Sequence, residues 1–468
     1  MSFDTVKLTI EECMDAIIDY RGKTPKKSNS GIPLITAKIV KGGTILQPTE
    51  FIPTEDYDNW MVRGLPEVSD IVLTTEAPLG EVAQLREKKV ALAQRIVTLR
   101  GKKGVLDNNY LLYLLQSSNV QNQLHARATG TTVKGIKQSE LRKVTLNIPP
   151  LKYQKWAAQI LVALDRKIKN NEFTNQTLEK MAQALFKSWF VDFEPVKAKI
   201  AVLEAGGSQE EATLAAMTAI SGKDADSLAV FEHEHPEQYA ELKATAELFP
   251  SAMQESELGE IPIGWEVGKL GELIEFNPKR VLKKGSIASY LDMKNVPVSG
   301  HSAQDIIDRE FSSGSKFKNG DTLLARITPC LENGKTAYVD FLPNDEAVGW
   351  GSTEFIVMRS NNNLPLSLSY FFARLDSFRT IAIQSMQGTS GRQRADASVL
   401  KNHIWVVPLK ELLQKFGTFS DSILDGNRSR YAENKSLAEL RDTLLPKLLS
   451  GEIPLPEAEQ AVSEAENV

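Results

Sequence analysis

Only two cysteines, Cys13 and Cys330, occur in 468 residues. That rules out a disulfide framework and suits a reducing compartment. Histidine is scarce as well. The five present are scattered, so no Ser/His/Asp arrangement can be picked out, and no pair has the i, i+4 spacing of a helical zinc site. His233-Glu234-His235 comes nearest to a metal cluster, but it lies in a charged stretch and reads as solvated charge. No apolar run is long enough to span a bilayer. Glu11, Glu12 and Asp15 stand where an export signal would need an apolar core. A cytoplasmic protein with no membrane association is therefore expected. Phosphate-binding glycine loops are missing too: Gly334-Lys335-Thr336 would need a glycine where Pro329 stands. Asn147-Ile148-Pro149-Pro150-Leu151 faintly resembles the Asn-Pro-Pro-aromatic loop of amino-methyltransferases. An Ile intrudes and the aromatic is absent, and no glycine-rich loop for S-adenosylmethionine accompanies it. Methyl transfer by the chain itself is not expected, and no cofactor or metal is implied.

Net charge is low in magnitude, −5, which at face value argues against a nucleic-acid partner. Its distribution changes that. Fifteen acids face four lysines between Val191 and Pro262, a local balance of −11, so the remainder carries +6 (−5 less −11). Residues 1–150 hold twenty Lys and Arg against sixteen Asp and Glu. A basic face is compatible with this balance, as is an ordinary surface.

What the chain does have is a repeat. In residues 151–190, Ala157, Leu161, Leu164, Ile168, Asn171, Asn175, Leu178, Ala182, Leu185 and Trp189 recur at alternating spacings of four and three. That is the period of a long helix packed along another helix. At an offset of 259, Leu164 meets Ile423, Asn175 meets Asn434, Leu178 meets Leu437, Met181 meets Leu440 and Leu185 meets Leu444. Upstream, Ser139 meets Ser398, Leu141 meets Leu400 and Pro149 meets Pro408. A period this long is a whole domain plus a helix, not a solenoid repeat.

Before each long helix, short apolar runs alternate with turns. In the first half these are Ile32–Ile35, Asp70–Thr74, Val90–Leu99 and Val144–Ile148, with a helical run over Asn109–Arg127. In the second half they are Thr322–Ile327, Lys335–Val339 and Glu354–Met358, with a helix over Ser367–Gln384. Asp70 and Asp321 each open a strand that leads into a loop, Ala77-Pro78 and Thr328-Pro329. The class is α+β. Residues 193–262 read as an acidic, partly helical connector, and 453–468 as a disordered tail.

The residues that bear chemistry are suited to binding. Arg21, Lys23, Thr24, Lys26 and Lys27 crowd one loop, where cations can neutralise phosphates and small polar groups can reach base edges. Gly130, Thr131, Thr132, Lys134 and Lys137 form a flexible basic loop; Gly388, Thr389, Ser390, Arg392, Gln393 and Arg394 form its counterpart. An alternative is a metal-dependent nuclease using Asp70, Glu87 and Lys89, since an Asp with a Glu-x-Lys can hold a divalent ion. The second half keeps Asp321 without a Glu-x-Lys, and the plainer reading of Glu87 to Lys89 is a solvated turn.

Leu185-Phe186-Lys187-Ser188-Trp189-Phe190-Val191-Asp192-Phe193-Glu194-Pro195 and Leu444-Leu445-Pro446-Lys447-Leu448-Leu449-Ser450-Gly451-Glu452-Ile453 end the two long helices, and Thr75-Glu76-Ala77-Pro78-Leu79-Gly80-Glu81-Val82 and Ala93-Gln94-Arg95-Ile96 accompany the two Gly-Thr loops. Taken together, these stretches resemble the DNA specificity subunits of type I restriction-modification enzymes. The resemblance implies two pseudo-symmetric target-recognition domains of mixed sheet and short helices (1–150 and 263–408), joined by two long antiparallel α-helices (151–192 and 409–452). Each domain would read one half of a bipartite, asymmetric double-stranded DNA site, with Thr75, Gln94, Arg95 and Arg326 added to the contacts above. A helix of about 39 residues spans roughly 58 Å, more than one duplex turn of about 34 Å. The subunit would be non-catalytic. It would recruit two adenine methyltransferase subunits and two restriction/translocase subunits. Trp189, Phe190, Phe193, Leu448 and Leu449 would be docking residues, although Trp189 would serve equally as core between the helices.

Overall fold

The computed structural model describes residues 5–361, 363–389 and 392–456. It divides into two compact units, Met1–Lys169 with Asn434–Val468, and Asn170–Glu433. Each contains one sheet-bearing region and a segment of each long helix, Leu151–Phe190 and Lys410–Ser450.

In the first unit, Val6–Thr9 pairs antiparallel with Thr145–Ile148. A four-stranded antiparallel sheet then runs in the order Met14–Asp19, Ile96–Gly101, Ile71–Thr75, Leu79–Gln84. The strand Ile71–Thr75 is buried along its whole length because both faces of its sheet are covered. Ile71 and Leu73 pack under the helices that carry Tyr110, Leu114 and Leu124. Val72, pointing the other way, packs with Leu34, Ile35 and Ala91 of a second small sheet. The helical run expected over Asn109–Arg127 is two helices, Asn108–Gln116 and Ser118–Arg127. Ser117 leaves helical geometry, and its hydroxyl accepts the Val120 N–H at 3.4 Å to cap the second. The first long helix is fixed to this region through Gln154. Its Nε2 donates to the Val105 and Pro149 carbonyls at 2.8 Å, and its Oε1 accepts the Asp107 N–H at 2.9 Å. Asp165 accepts from Tyr113 at 2.7 Å and from Arg441 at 2.9 Å.

The second unit repeats the plan. Glu266–Lys269 pairs with Ile404–Val407, and the four-stranded order Ile274–Phe276, Phe355–Ser360, Thr322–Ala325, Thr336–Tyr338 is that of the first unit. The helical run over Ser367–Gln384 likewise splits at Leu375, whose ψ of 133° is extended. This unit also contains the acidic stretch, which is more helical than expected. Of its four helices, Gln209–Ser221, Ala225–Glu234 and Pro236–Glu247 close on Ala216, Met217, Leu228 and Ala246, while Glu194–Glu204 sends Val196 into the unit's main core; a hairpin follows (Met253–Ser256, Gly259–Pro262). Gly206-Gly207 falls between the first two of these helices in chain order, and Pro236 opens the fourth, where its missing N–H costs nothing. Lys199 is buried here and donates to the Phe249 carbonyl at 2.6 Å; burial holds its ammonium below the ordinary lysine range.

Within the second unit the long helices close on an aromatic cluster. Phe186 lies 5.1 Å from Phe372 and Phe416, and Trp189 lies 5.2 Å from Phe249. The docking assignment is thereby corrected. Trp189, Phe190 and Phe193 are buried by their own unit, and Leu448 is buried in the first unit's core with Leu449 packed against it. Trp189, Phe190, Phe193 and Leu448 present almost no surface to a partner, and each contributes about 2–3 kcal/mol to the core, whereas Leu449 is half-buried. Ile453 and Leu455, assigned to the tail, pack against that first-unit core. Residues 457–468 lie outside those described.

Polar contacts lock the helices inside each unit. In the second unit Asn175 and Asn427 each donate to the other's backbone carbonyl at 3.3 Å. In the first, Asn434 donates to the Ile168 carbonyl at 3.3 Å. The Asn434 bond is the Asn175 bond with both partners displaced by 259 residues. The Leu364–Leu366 turn meets the second long helix at Gly417, where a Cβ would lie 2.0 Å from Pro365 Cγ. Beside it the Ser367 and Ser420 hydroxyls are bonded at 2.8 Å.

Candidate nucleic-acid interface

Both Gly-Thr loops are built the same way. In the first unit a bridge between Thr129 and Gly135 closes the loop, and Gly135 also bridges to Glu76 beside the cis Ala77-Pro78 bond. In the second, Gln387 bridges to Arg394, which bridges to Ile327 beside cis Thr328-Pro329. Gly130, at φ +112°, has no room for a Cβ, which would meet the Val133 carbonyl oxygen at 2.2 Å; Gly388 takes the same turn at φ +124°. Backbone bonds then tie each loop to the sheet. Ile136 donates to the Thr75 carbonyl at 3.0 Å and Thr75 to the Arg95 carbonyl at 2.9 Å. Likewise Ala395 donates to Arg326 at 2.8 Å and Arg326 to Glu354 at 3.0 Å.

This geometry gathers several expected contact residues of the first unit. Arg21, Gln94, Arg95 and Lys137 line a cleft of about 260 Å³ with Glu76, Thr129 and Val133. Glu76 holds Arg95 at 2.9 Å, an exposed pair that an incoming phosphate can exchange for. Thr131, Thr132 and Lys134 are exposed at the loop tip. Lys23, Thr24 and Lys26 are exposed too, and Lys27 pairs with Glu50 at 2.8 Å. Thr75 is different. Its side chain is buried, so its contribution is to anchor the loops through its backbone, not to touch DNA.

In the second unit Thr389 and Arg392 are exposed, and Ser390 lies outside the described residues. Gln393 is tied down by its backbone, with its N–H on Thr328 Oγ1 at 3.0 Å. Arg326 and Arg394 do not stand free as phosphate ligands. Glu354 accepts from Arg394 Nε at 2.9 Å and Nη2 at 2.8 Å, and from Arg326 Nε at 3.2 Å. The Arg394 hydrogen bonds, with Arg326 behind them, hold the Glu354 carboxyl below the usual carboxylate range. Sequence reading missed this clamp, and it also missed the basic run Lys279, Arg280, Lys283 and Lys284 that follows Ile274–Phe276. The signal was positional: Arg21 to Lys27 follows Met14–Asp19 in the same way.

Of the nuclease alternative's two carboxylates, Asp70 is engaged elsewhere and Glu87 is exposed. Asp70 is fully buried, and it accepts both Nε and Nη2 of Arg100 at 2.8 Å as well as the Glu67 N–H. Lys89 stacks 5.8 Å from the Tyr57 ring. Among the described residues no group of three His, Cys, Asp or Glu side chains is placed to hold a metal.

The architecture is that of a solved S subunit of a type I restriction-modification system from M. genitalium. The two match with a TM-score of 0.50 at 17% identity, over 95% of this chain and 96% of that one. The fold class is thus a specificity-subunit fold. A model of the type I restriction modification DNA specificity domain matches residues 16–180. The type I restriction enzyme HindI specificity subunit of Haemophilus influenzae is 31% identical over 369 residues, 73% of this chain and 77% of that protein. The MjaIX specificity subunit of Methanocaldococcus jannaschii is 24% identical over 395 residues, 83% and 78%. The chain belongs to the family of type I restriction enzyme specificity subunits, and is itself non-catalytic.

Proposed function

We propose that each sheet-bearing region, 1–150 and 263–408, reads one half of a bipartite, asymmetric duplex DNA target. The observation that supports this is the Gly-opened loop docked on a Pro loop, closed by corresponding bridges in both units yet presenting different side chains. Arg21, Lys23, Lys26, Lys27, Gln94, Arg95, Lys134 and Lys137 contact the first half-site, and Thr389, Arg392 and Gln393 the second. The long helices set the spacing. They dock two adenine methyltransferase subunits, and through them two restriction/translocase subunits. After the burial of Trp189 and its neighbours, docking falls to exposed apolar side chains of those helices: Phe173 and Met181 in the second unit, Leu440 in the first.

The test is co-expression with the neighbouring methyltransferase subunit in a host whose methylated adenines are then mapped. A split motif with a fixed gap is expected. Replacing Lys23, Lys26 and Lys27 should degrade methylation governed by the first half-site, and replacing Arg392 that governed by the second. Methylation without a split motif, or untouched by both sets, would sink the reading.

A further inference from the structure

The turn that precedes the buried aspartate has one geometry in both units and opposite charge. In the first, the Glu67 N–H donates to Asp70 Oδ2 at 2.8 Å; in the second, the Lys318 N–H donates to Asp321 Oδ2 at 2.8 Å. Glu67 turns its carboxylate onto Arg100 at 2.9 Å, so one guanidinium there faces two carboxylates. The second unit reverses the balance. Fully buried Asp321 accepts from two guanidiniums, Arg359 at 2.6 Å and Arg280 at 3.2 Å, and a lysine stands in Glu67's place. Lys279, Arg280, Lys318 and Arg359 converge on a cleft of about 530 Å³ whose one acidic lining residue is Glu346.

Asp321 does two things here. It holds both guanidiniums at one carboxylate oxygen, and it cancels only one of their two charges. The Nε of Arg280 is left buried without a hydrogen-bond partner in the protein. Lys279 and Lys318 add two more cations, and the Glu346 that holds Lys318 at 3.2 Å is 93% exposed, so that pair is weak. The ligand chemistry this selects is an anion with several acceptor oxygens that arrives from a broad surface. We propose that the cleft seats a phosphate of the duplex backbone, giving the second unit an anchor that the first lacks at the same turn. This rests on the chain's being a DNA reader. Such a contact sets the protein's register on the duplex and carries no base preference.

The experiment measures binding of the full chain to a mixed-sequence duplex across a salt series. The variants are Lys318→Glu, which copies the first unit, and Lys279→Gln, with thermal melts to show that both fold. The slope of log affinity against log salt should become shallower by about 0.9 for each phosphate the variant no longer neutralises. Glu346→Gln should move the other way and tighten low-salt binding. Folded variants that keep the parent slope would overturn the anchor. If binding falls on replacing Lys23, Lys26 and Lys27 but not on Lys318→Glu, the anchor alone fails. A parent chain without salt-dependent DNA binding would remove the anchor and the DNA-reading proposal together.

Discussion

Just before the strands Ile96–Gly101 and Phe355–Ser360, the first unit has Arg95 and the second has Glu354. Each accepts the equivalent backbone N–H, from Thr75 at 2.9 Å and from Arg326 at 3.0 Å. The scaffold is held constant and the charges are exchanged. Arg95 sits in a cleft with Arg21 and Lys137, balanced by Glu76 alone. Glu354 instead draws in Arg326 and Arg394, so the corresponding cations of the second unit are used to brace its own loop. Two copies of one fold can therefore present unlike surfaces without altering a backbone bond. On the proposed function, specificity would be carried by side chains on a frame common to both units.

The comparison can be broken most forcefully at the buried aspartates. Asp321→Ala leaves two guanidiniums without their shared carboxylate and should cost about 3–5 kcal/mol. Asp70→Ala should cost less, since Arg100 keeps Glu67. Hydrogen exchange over Thr322–Ala325 and over Ile71–Thr75 would separate the two effects, and equal losses would contradict the asymmetry. The next largest difference is in pH. In the second unit His301 is buried between Asp340 (3.2 Å) and Glu179 (3.7 Å), with Tyr370, Tyr431 and Arg374 around them. Burial works against the charged ring, but the hydrogen bond to Asp340 and the Glu179 carboxylate outweigh it and hold the imidazole at about 9. An ordinary histidine titrates near 6.5. The stabilisation, on the order of 3 kcal/mol, is therefore complete below about pH 6.5 and lost as pH rises through about 9. His301→Gln should flatten that loss in a pH series of melts. The first unit's one histidine, His125, is exposed on Ser118–Arg127. The smallest effects sharpen the comparison itself. Glu354→Gln should release Arg326 and Arg394 and tighten low-salt DNA binding a few-fold, whereas Arg95→Gln should weaken it by a similar factor. Shifts of the same sign would mean the two positions are not electrostatic counterparts.

Much of this frame was legible in the sequence. The 259-residue echo and the heptad seam located both long helices, because helix periodicity is written in neighbouring residues. The strands Ile32–Ile35, Ile71–Thr75 and Phe355–Ser360 fell within or beside the expected apolar runs for the same reason. What escaped depends on partners distant in sequence. Arg394 reads as a free cation until Glu354, forty residues upstream, is brought against it. Trp189 reads equally as docking surface or core until Phe249 and Phe416 are seen to close over it. The Lys279 to Lys284 run was overlooked because it matches its counterpart in position and charge but not in residue identity.

The contact at Gly417 bears on how such a chain can change over generations. A residue that admits no added atom gives the Leu364–Leu366 turn one place to rest on the helix. Mutations accumulating in the exposed loops then leave that seating alone. On the proposed function, one closely fitted position would let the loops vary in what they read while the seating of this turn on the helix is preserved.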